Sequence, residues 1–253
     1  MEPLSVVIIT HNEEHNLPRL LASVSWADEI LVVDSNSTDQ TAQICLSAGV
    51  RFLQRRFTGF GDQKHFAVNA ASHNWVLAID ADEEVSAELA AEIQYMLKSE
   101  NLDCPAYRIP RHFIFMGHHM RFGGEYGRTF VRFFDRRQAN YNLADVHEEV
   151  ITAGKIGDLN GRMLHFSYRN LHDYFQKFNN YTSRAAAELY KKNKQVSRLY
   201  IFVRFPFSFL ALYFGKGLIL DGYPGFIWAL CSALYPVIKY AKLREMIKAG
   251  CAY

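Results

Sequence analysis

The first 80 residues limit this chain most tightly, because short apolar runs alternate there with segments whose apolar residues recur at helical spacing. Residues 4–10 read LSVVIIT, residues 29–34 EILVVD and residues 75–80 WVLAID, with a shorter run of the same kind over 50–53. Such runs are apolar on both faces, so the strands they form have to be covered on both faces. Between them Leu17, Leu20, Leu21 and Val24 keep a helical period, and the spacing predicts further helices over 37–48 and 62–71. Strand and helix in alternation predict an α/β chain with a mostly parallel sheet flanked by helices. Ser86 stands where it would cap a helix bearing Leu89, Ile93 and Leu97 on one side, and 106–110 reads as another strand.

Residues 111–165 have weaker periodicity, with aromatic, Gly and Arg residues interleaved, and predict strands and loops. A helical pattern returns over 171–194, followed by apolar stretches at 199–214 and 217–238. Arg204 and Pro206 interrupt the first, and Asp221 and Pro224 the second, whereas a clean span needs about twenty uninterrupted apolar residues. Helices lying in the membrane interface or packed as a hairpin are the expectation, with true spans and a soluble helical cap as the alternatives. The net charge of +2 hides an asymmetry. Residues 1–100 carry fifteen Asp and Glu against six Lys and Arg, and the remainder eleven against twenty-two. Over 161–220 ten basic residues face only Asp173 and Glu188, so this stretch should be drawn to anionic lipid, phosphorylated glycan or nucleic acid, of which the first two are the expected partners and nucleic acid is not. Cys45, Cys104, Cys231 and Cys251 have no paired ligand spacing, and no secretory signal opens the chain, which fits a reducing cytoplasm.

In an open parallel sheet, ligands bind beyond the carboxyl ends of the strands. The polar strand ends here are Thr10-His11-Asn12-Glu13, Asp34 to Asp39, and Asp80-Ala81-Asp82-Glu83. No Gly-x-Gly-x-x-Gly follows the first strand and no Gly-Lys-Ser/Thr loop exists, which disfavours dinucleotide cofactors and ATP-hydrolysing folds. Asp80 and Asp82 flank a small residue directly after an apolar strand, where hard divalent cations such as Mg or Mn take oxygen ligands. An ion there would bridge two phosphates and neutralise a departing diphosphate.

The opening SVVIITHNE, the segment VVDSNSTDQT, the turn from Phe60 to Lys64 before a helix, and WVLAIDADE together resemble glycosyltransferase family 2 with its GT-A fold. The resemblance implies a nucleotide-sugar donor whose nucleoside pocket is lined by Thr10 and Glu13, with Asn12, Lys64 and Ala81 beside it. It implies that Asp34 accepts from the uracil imide, that Asp80 lies near the ribose, and that Asp82 ligates the metal, with Asp80 as the other carboxylate of the pair.

On the acceptor side, an inverting transfer needs a group to take the acceptor hydroxyl proton. The run Asp145-Val146-His147-Glu148-Glu149 supplies it, with Glu148 ranked first and Asp145 second as base and His147 as a metal or phosphate contact. Arg128 and Arg132 are expected to meet an acidic acceptor, and His165, between apolar neighbours, reads as a core histidine. From Gly123 through the Val-His-Glu element to the aromatic tail the chain is similar to bacterial lipopolysaccharide inner-core β-glucosyltransferases. That implies UDP-glucose as donor and a heptose of a lipid-linked, anionic glycan as acceptor, at the cytoplasmic face of a bacterial inner membrane. A polyprenyl phosphate acceptor and a silent nucleotide-sugar-binding scaffold are the rival readings. The expected organisation is a transferase domain over 1–165, with donor half 1–100 and acceptor half 101–165, and a helical membrane-associating region over 166–253.

Overall fold

The computed structural model describes residues 2–99, 102–144 and 148–251. They form two compact units, Met1–His112 with Gly127–His165, and Phe113–Tyr126 with Phe166–Tyr253.

The first unit opens with β1 (Leu4–Thr10), α1 (Leu17–Ser23), β2 (Glu29–Asp34), α2 (Thr41–Ser47), β3 (Arg51–Gln54), α3 (Phe60–Ala70) and β4 (Trp75–Asp80). It continues through β5 (Glu83–Val85), α4 (Ala87–Ser99) and β6 (Ala106–Phe115), whose last residues pass into the second unit. Strand β7 (His118–His119) belongs to the second unit. The chain returns to the first with β8 (Arg128–Asp135), β9 (Ala139–Tyr141), β10 (Val150–Thr152), β11 (Ile156–Asp158) and β12 (Met163–His165). The sheet order is β3-β2-β1-β4-β8-β6-β12-β5. The first four strands are parallel, as the alternation predicts, and β8 joins β4 antiparallel.

The sheet is buried on both sides because successive side chains of one strand point to opposite faces. Val6 and Ile8 join Leu17, Leu20, Leu89 and Ile93 in one core, while Val7 packs with Leu31, Val33, Ala67 and Val68 in the other. The Ser86 cap forms, accepting from Leu89 N at 3.2 Å. Helix α2 begins at Thr41 and not at residue 37, because local side-chain bonds claim the backbone first. Asp34 accepts from Ser37 N at 2.8 Å, and Asp39 from Thr41 N at 3.0 Å.

The second unit holds α5 (Leu171–Lys191), α6 (Arg198–Leu210) and α7 (Gly222–Ala249). A π turn over Ala211–Gly215 and a 3-10 turn over Leu218–Asp221 link the last two. Asn170 caps α5 and Ser197 caps α6, each through its side-chain oxygen. The core is aromatic: Trp228 lies 4.7 Å from the Phe113 ring centre and 5.1 Å from that of Phe115, with Tyr168 and Tyr174 against them. Asp221, buried at the head of α7, fastens the loop after β7 by accepting from the backbone N–H of Arg121 and Phe122, each at 3.0 Å.

Candidate active site

Parallel pairing aligns the polar strand ends. Thr10 is in register with Asp34 across β1 and β2, and Ile9 with Asp80 across β1 and β4. The loops after β1 and β2 are laced together: Asn12 N donates to Ser37 Oγ and Thr38 N to Asn12 Oδ1, both at 2.8 Å. Glu13 N donates to Thr41 Oγ1 at 2.9 Å, and the Glu13 carboxylate accepts from Asn16 Nδ2 at 2.7 Å. Asn12 and Asn36 take left-handed backbone, φ 57° and 59°, which Asn tolerates better than most residues.

Asp34 is fully buried, and its carboxylate is held by the backbone N–H and hydroxyl of Ser37 and by Gln54 Nε2 at 3.3 Å. Two neighbouring buried atoms, Thr10 Oγ1 and Gln63 Oε1, have no hydrogen-bond partner among the described residues. Ser35 connects them: its N–H donates to Thr10 O at 2.9 Å, and its hydroxyl accepts from Gln63 Nε2 at 3.2 Å. Buried polar atoms without partners are costly in a closed protein and are explained where a ligand completes them. Gln63 was not singled out in the sequence; the stretch from Phe60 to Lys64, expected as a turn before a helix, is the first part of α3, and the place of Gln63 one residue ahead of Lys64 was the available signal.

Beside this cluster lies a chain of charges, with Lys64, Arg132 and Glu83 buried and Asp80 and Glu148 partly so. Lys64 Nζ donates to Asp80 Oδ1 at 2.8 Å and to Glu148 Oε1 at 2.7 Å. Arg132 Nη2 donates to the other Asp80 oxygen at 2.5 Å, approaches Glu83 Oε1 at 3.4 Å, and its Nη1 reaches Tyr141 Oη at 3.2 Å. Glu83 also accepts from Asp80 N at 3.0 Å. Burial alone would favour a neutral Asp80, but Arg132 and Lys64 override it and hold the carboxyl far below the usual carboxylate range. Burial likewise opposes the charge on Lys64, and Asp80 reverses this and raises its pKa. Glu83, with burial dominant and the charge of Asp80 adding to it, is pushed up. Arg132 is 5% exposed, so its donors serve the protein's own carboxylates, whereas Arg128 lies exposed at the start of β8.

Asp82 is held differently. Its Oδ2 lies 3.2 Å from His165 Nε2, and both side chains are partly open. Antiparallel pairing of β12 with β5 brings the histidine there, His165 opposite Glu83. Sequence reading took His165 for a core residue; the structure gives it a carboxylate partner. Asp80, engaged by two cations, is a poor metal ligand, while Asp82 and His165 offer one oxygen and one nitrogen side by side. A carboxylate oxygen and an imidazole nitrogen are a donor pair that could hold a divalent ion. Among the described residues no group of three such side chains forms a closed cage. Ala81 is buried between the two acids, and Asp145 and His147 lie outside the described residues.

The segment carrying Glu148 is held by a close backbone approach. Gly61 N donates to Ala144 O at 3.1 Å, and a Cβ at Gly61 would stand 2.5 Å from the carbonyl oxygens of both Asn142 and Ala144. Only glycine permits that contact.

The sequence profile of Glycosyl transferase family 2 matches residues 5–151. The chain is 32% identical over 256 residues to the lipopolysaccharide core biosynthesis glycosyltransferase LpsC of Rhizobium meliloti, covering 98% of this chain and 94% of that protein. It is equally similar, 32% over 263 residues, to an uncharacterized glycosyltransferase of Rickettsia typhi, covering 97% of this chain and 88% of the relative. The crystal structure of S. aureus TarS residues 1–349 matches 98% of this chain and 92% of that one, at TM-score 0.47 and 16% identity.

Proposed function

The chain belongs to glycosyl transferase family 2 and is a glycosyltransferase, and on that premise we propose that it moves glucose from UDP-glucose, with inversion, onto a heptose of a lipopolysaccharide inner core. The kinship with LpsC along almost the whole of both chains supports the acceptor class. The acceptor is then lipid-linked and anionic, met at the cytoplasmic face of a membrane. The observation that carries the reading is the line of charges Asp82, Asp80, Lys64 and Glu148 at one end of the parallel sheet.

In this reading Thr10 Oγ1 and Gln63 Oε1, two of the buried atoms without a hydrogen-bond partner among the described residues, bind the nucleoside. Glu13 and Asn12 shape that pocket, and Asp34, its carboxylate held by Ser37 and Gln54, accepts from the uracil imide. Asp80, paired with Arg132 and Lys64, faces the ribose. Asp82 and His165 would hold a divalent cation, which when bound neutralises the charge growing on the leaving diphosphate. Lys64 lies between Asp80 and Glu148, and an entering phosphate competes for its ammonium. Glu148, so released, takes the proton of the acceptor hydroxyl as that oxygen bonds to the anomeric carbon. The bond from the anomeric carbon to the diphosphate oxygen breaks on the opposite face, and UDP departs with the electron pair.

Incubating the purified protein with a panel of UDP- and GDP-sugars, and with lipopolysaccharide truncated at its heptoses, tests this. UDP-glucose should be consumed only when the truncated glycan is present. Preference for a polyprenyl phosphate acceptor would move the substrate, and no turnover with any donor would leave a nucleotide-sugar-binding protein.

A further inference from the structure

Helix α6 is amphipathic the wrong way round for a helix in water. Besides the exposed Arg198 and Tyr200 of its first turn, the exposed positions recur at helical spacing, 199, 202, 203, 206, 207 and 210, and these six are apolar. Phe202 is 84% exposed, Leu199 72% and Phe207 70%. The stripe runs on through Phe214 in the π turn, Leu220 in the 3-10 turn and Tyr223 at the head of α7. Exposed aromatic and aliphatic side chains this numerous mark an interaction surface more often than bare solvent-facing protein. The opposite side of the helix is satisfied within the unit, where Phe209 packs against Tyr213 and Phe226 at 5.2 and 5.9 Å.

Charge says what covers the bare side. Residues 189–220 contain Lys191, Lys192, Lys194, Arg198, Arg204 and Lys216 and no acid. A second copy docked face to face would set these cations against their own kind, while an anionic bilayer attracts them and takes up the aromatic rings.

The orientation also follows. At 13 residues α6 is about 20 Å long, too short to cross a bilayer. The stretch Leu218–Ala249 is long and apolar enough by composition, but it is tied along its length to α5. Lys242 Nζ donates to Asn179 Oδ1 at 2.7 Å and to the Thr182 and Ser183 hydroxyls at 2.9 Å. The outer side of α5 carries His172, Gln176, Asn180, Arg184 and Glu188, all exposed, so α7 could enter hydrocarbon only by taking them along.

We propose that the outward face of α6, together with Phe214, Leu220 and Tyr223, inserts into the headgroup region of an anionic membrane, with α6 in the membrane plane and α7 not crossing. This deepens the reading of a lipid-linked acceptor, yet it is testable without any acceptor. Full-length protein is mixed with vesicles of phosphatidylethanolamine and phosphatidylglycerol, or of phosphatidylcholine alone, and floated at low and high salt. Wild type should float with the anionic vesicles, less so at high salt, and alkaline carbonate should extract it. The double variant Phe202→Ser, Phe207→Ser, which touches only exposed rings, should lose about tenfold in partitioning while its circular dichroism and UDP binding stay unchanged. In Phe202→Trp, brominated acyl chains should quench the new fluorescence. Protein that stays off both vesicle types, or that forms a dimer broken by the double variant, would overturn the proposal. So would resistance to carbonate, the behaviour of a spanning helix.

Discussion

At the scale of single residues, the site separates two aspartates that the sequence presents as a pair. Asp80 is locked between Lys64 and Arg132, and Asp82 meets a histidine 83 residues away. Replacing Asp82 by Ala should therefore lower transfer on the order of a hundredfold and abolish Mn²⁺-enhanced UDP binding in calorimetry, with the fold intact. His165→Ala should share the loss of metal-enhanced binding, which a merely packed histidine would not. Glu148→Gln keeps the shape and an acceptor for Lys64, so donor binding should persist while turnover falls on the order of a hundredfold. Wild-type turnover in that variant would leave Glu148 a structural partner of Lys64.

Among the elements, Gly61 and Glu29 hold the frame. A methyl group at Gly61 would collide with the backbone oxygens of Asn142 and Ala144, so Gly61→Ala should cost about 1–3 kcal/mol in denaturant unfolding. Glu29 accepts from Ser5 Oγ at 2.5 Å, from Ser72 N and Oγ, each at 2.7 Å, and from Arg51 at 2.9 Å, tying β2 to β1, to β3 and to the turn before β4. Burial would raise its pKa, but these donors outweigh it and hold the carboxyl at about 2. A depressed carboxyl stabilises the fold above the unfolded pKa, so its contribution is complete at neutral pH and fades as the pH falls from about 4.5 towards 2. The stability gap between wild type and Glu29→Gln should close across that interval. The elements that sequence revealed best are β1, β2 and β4, whose unbroken apolar runs reflect burial on both faces. Strands of three residues, β5 and β9 to β12, are too short to display a period of two, and it is β12 that delivers His165. The link between Lys64 and Glu148 spans 84 residues, and no local pattern encodes it. In α6 the interruptions at Arg204 and Pro206 were legible, but which side faces outward depends on its packing against α7.

Across the whole molecule, the uneven charge of the sequence follows its chemistry. The acidic first hundred residues supply the carboxylates of the parallel sheet, and the basic stretch of the second unit flanks a bare aromatic face. A chain arranged this way suits a small anionic donor bound through cations and a large anionic acceptor presented by a membrane. The anomeric configuration of the product records whether the hexosyl transfer to a core heptose proceeds with inversion. UDP-glucose carries its sugar in the α configuration, so product formed with truncated lipopolysaccharide should show, by proton NMR, the large axial–axial anomeric coupling of a β-glucoside attached to heptose. A small coupling, the mark of an α-linkage, or glucose found on any other residue of the acceptor, would contradict inverting transfer to heptose.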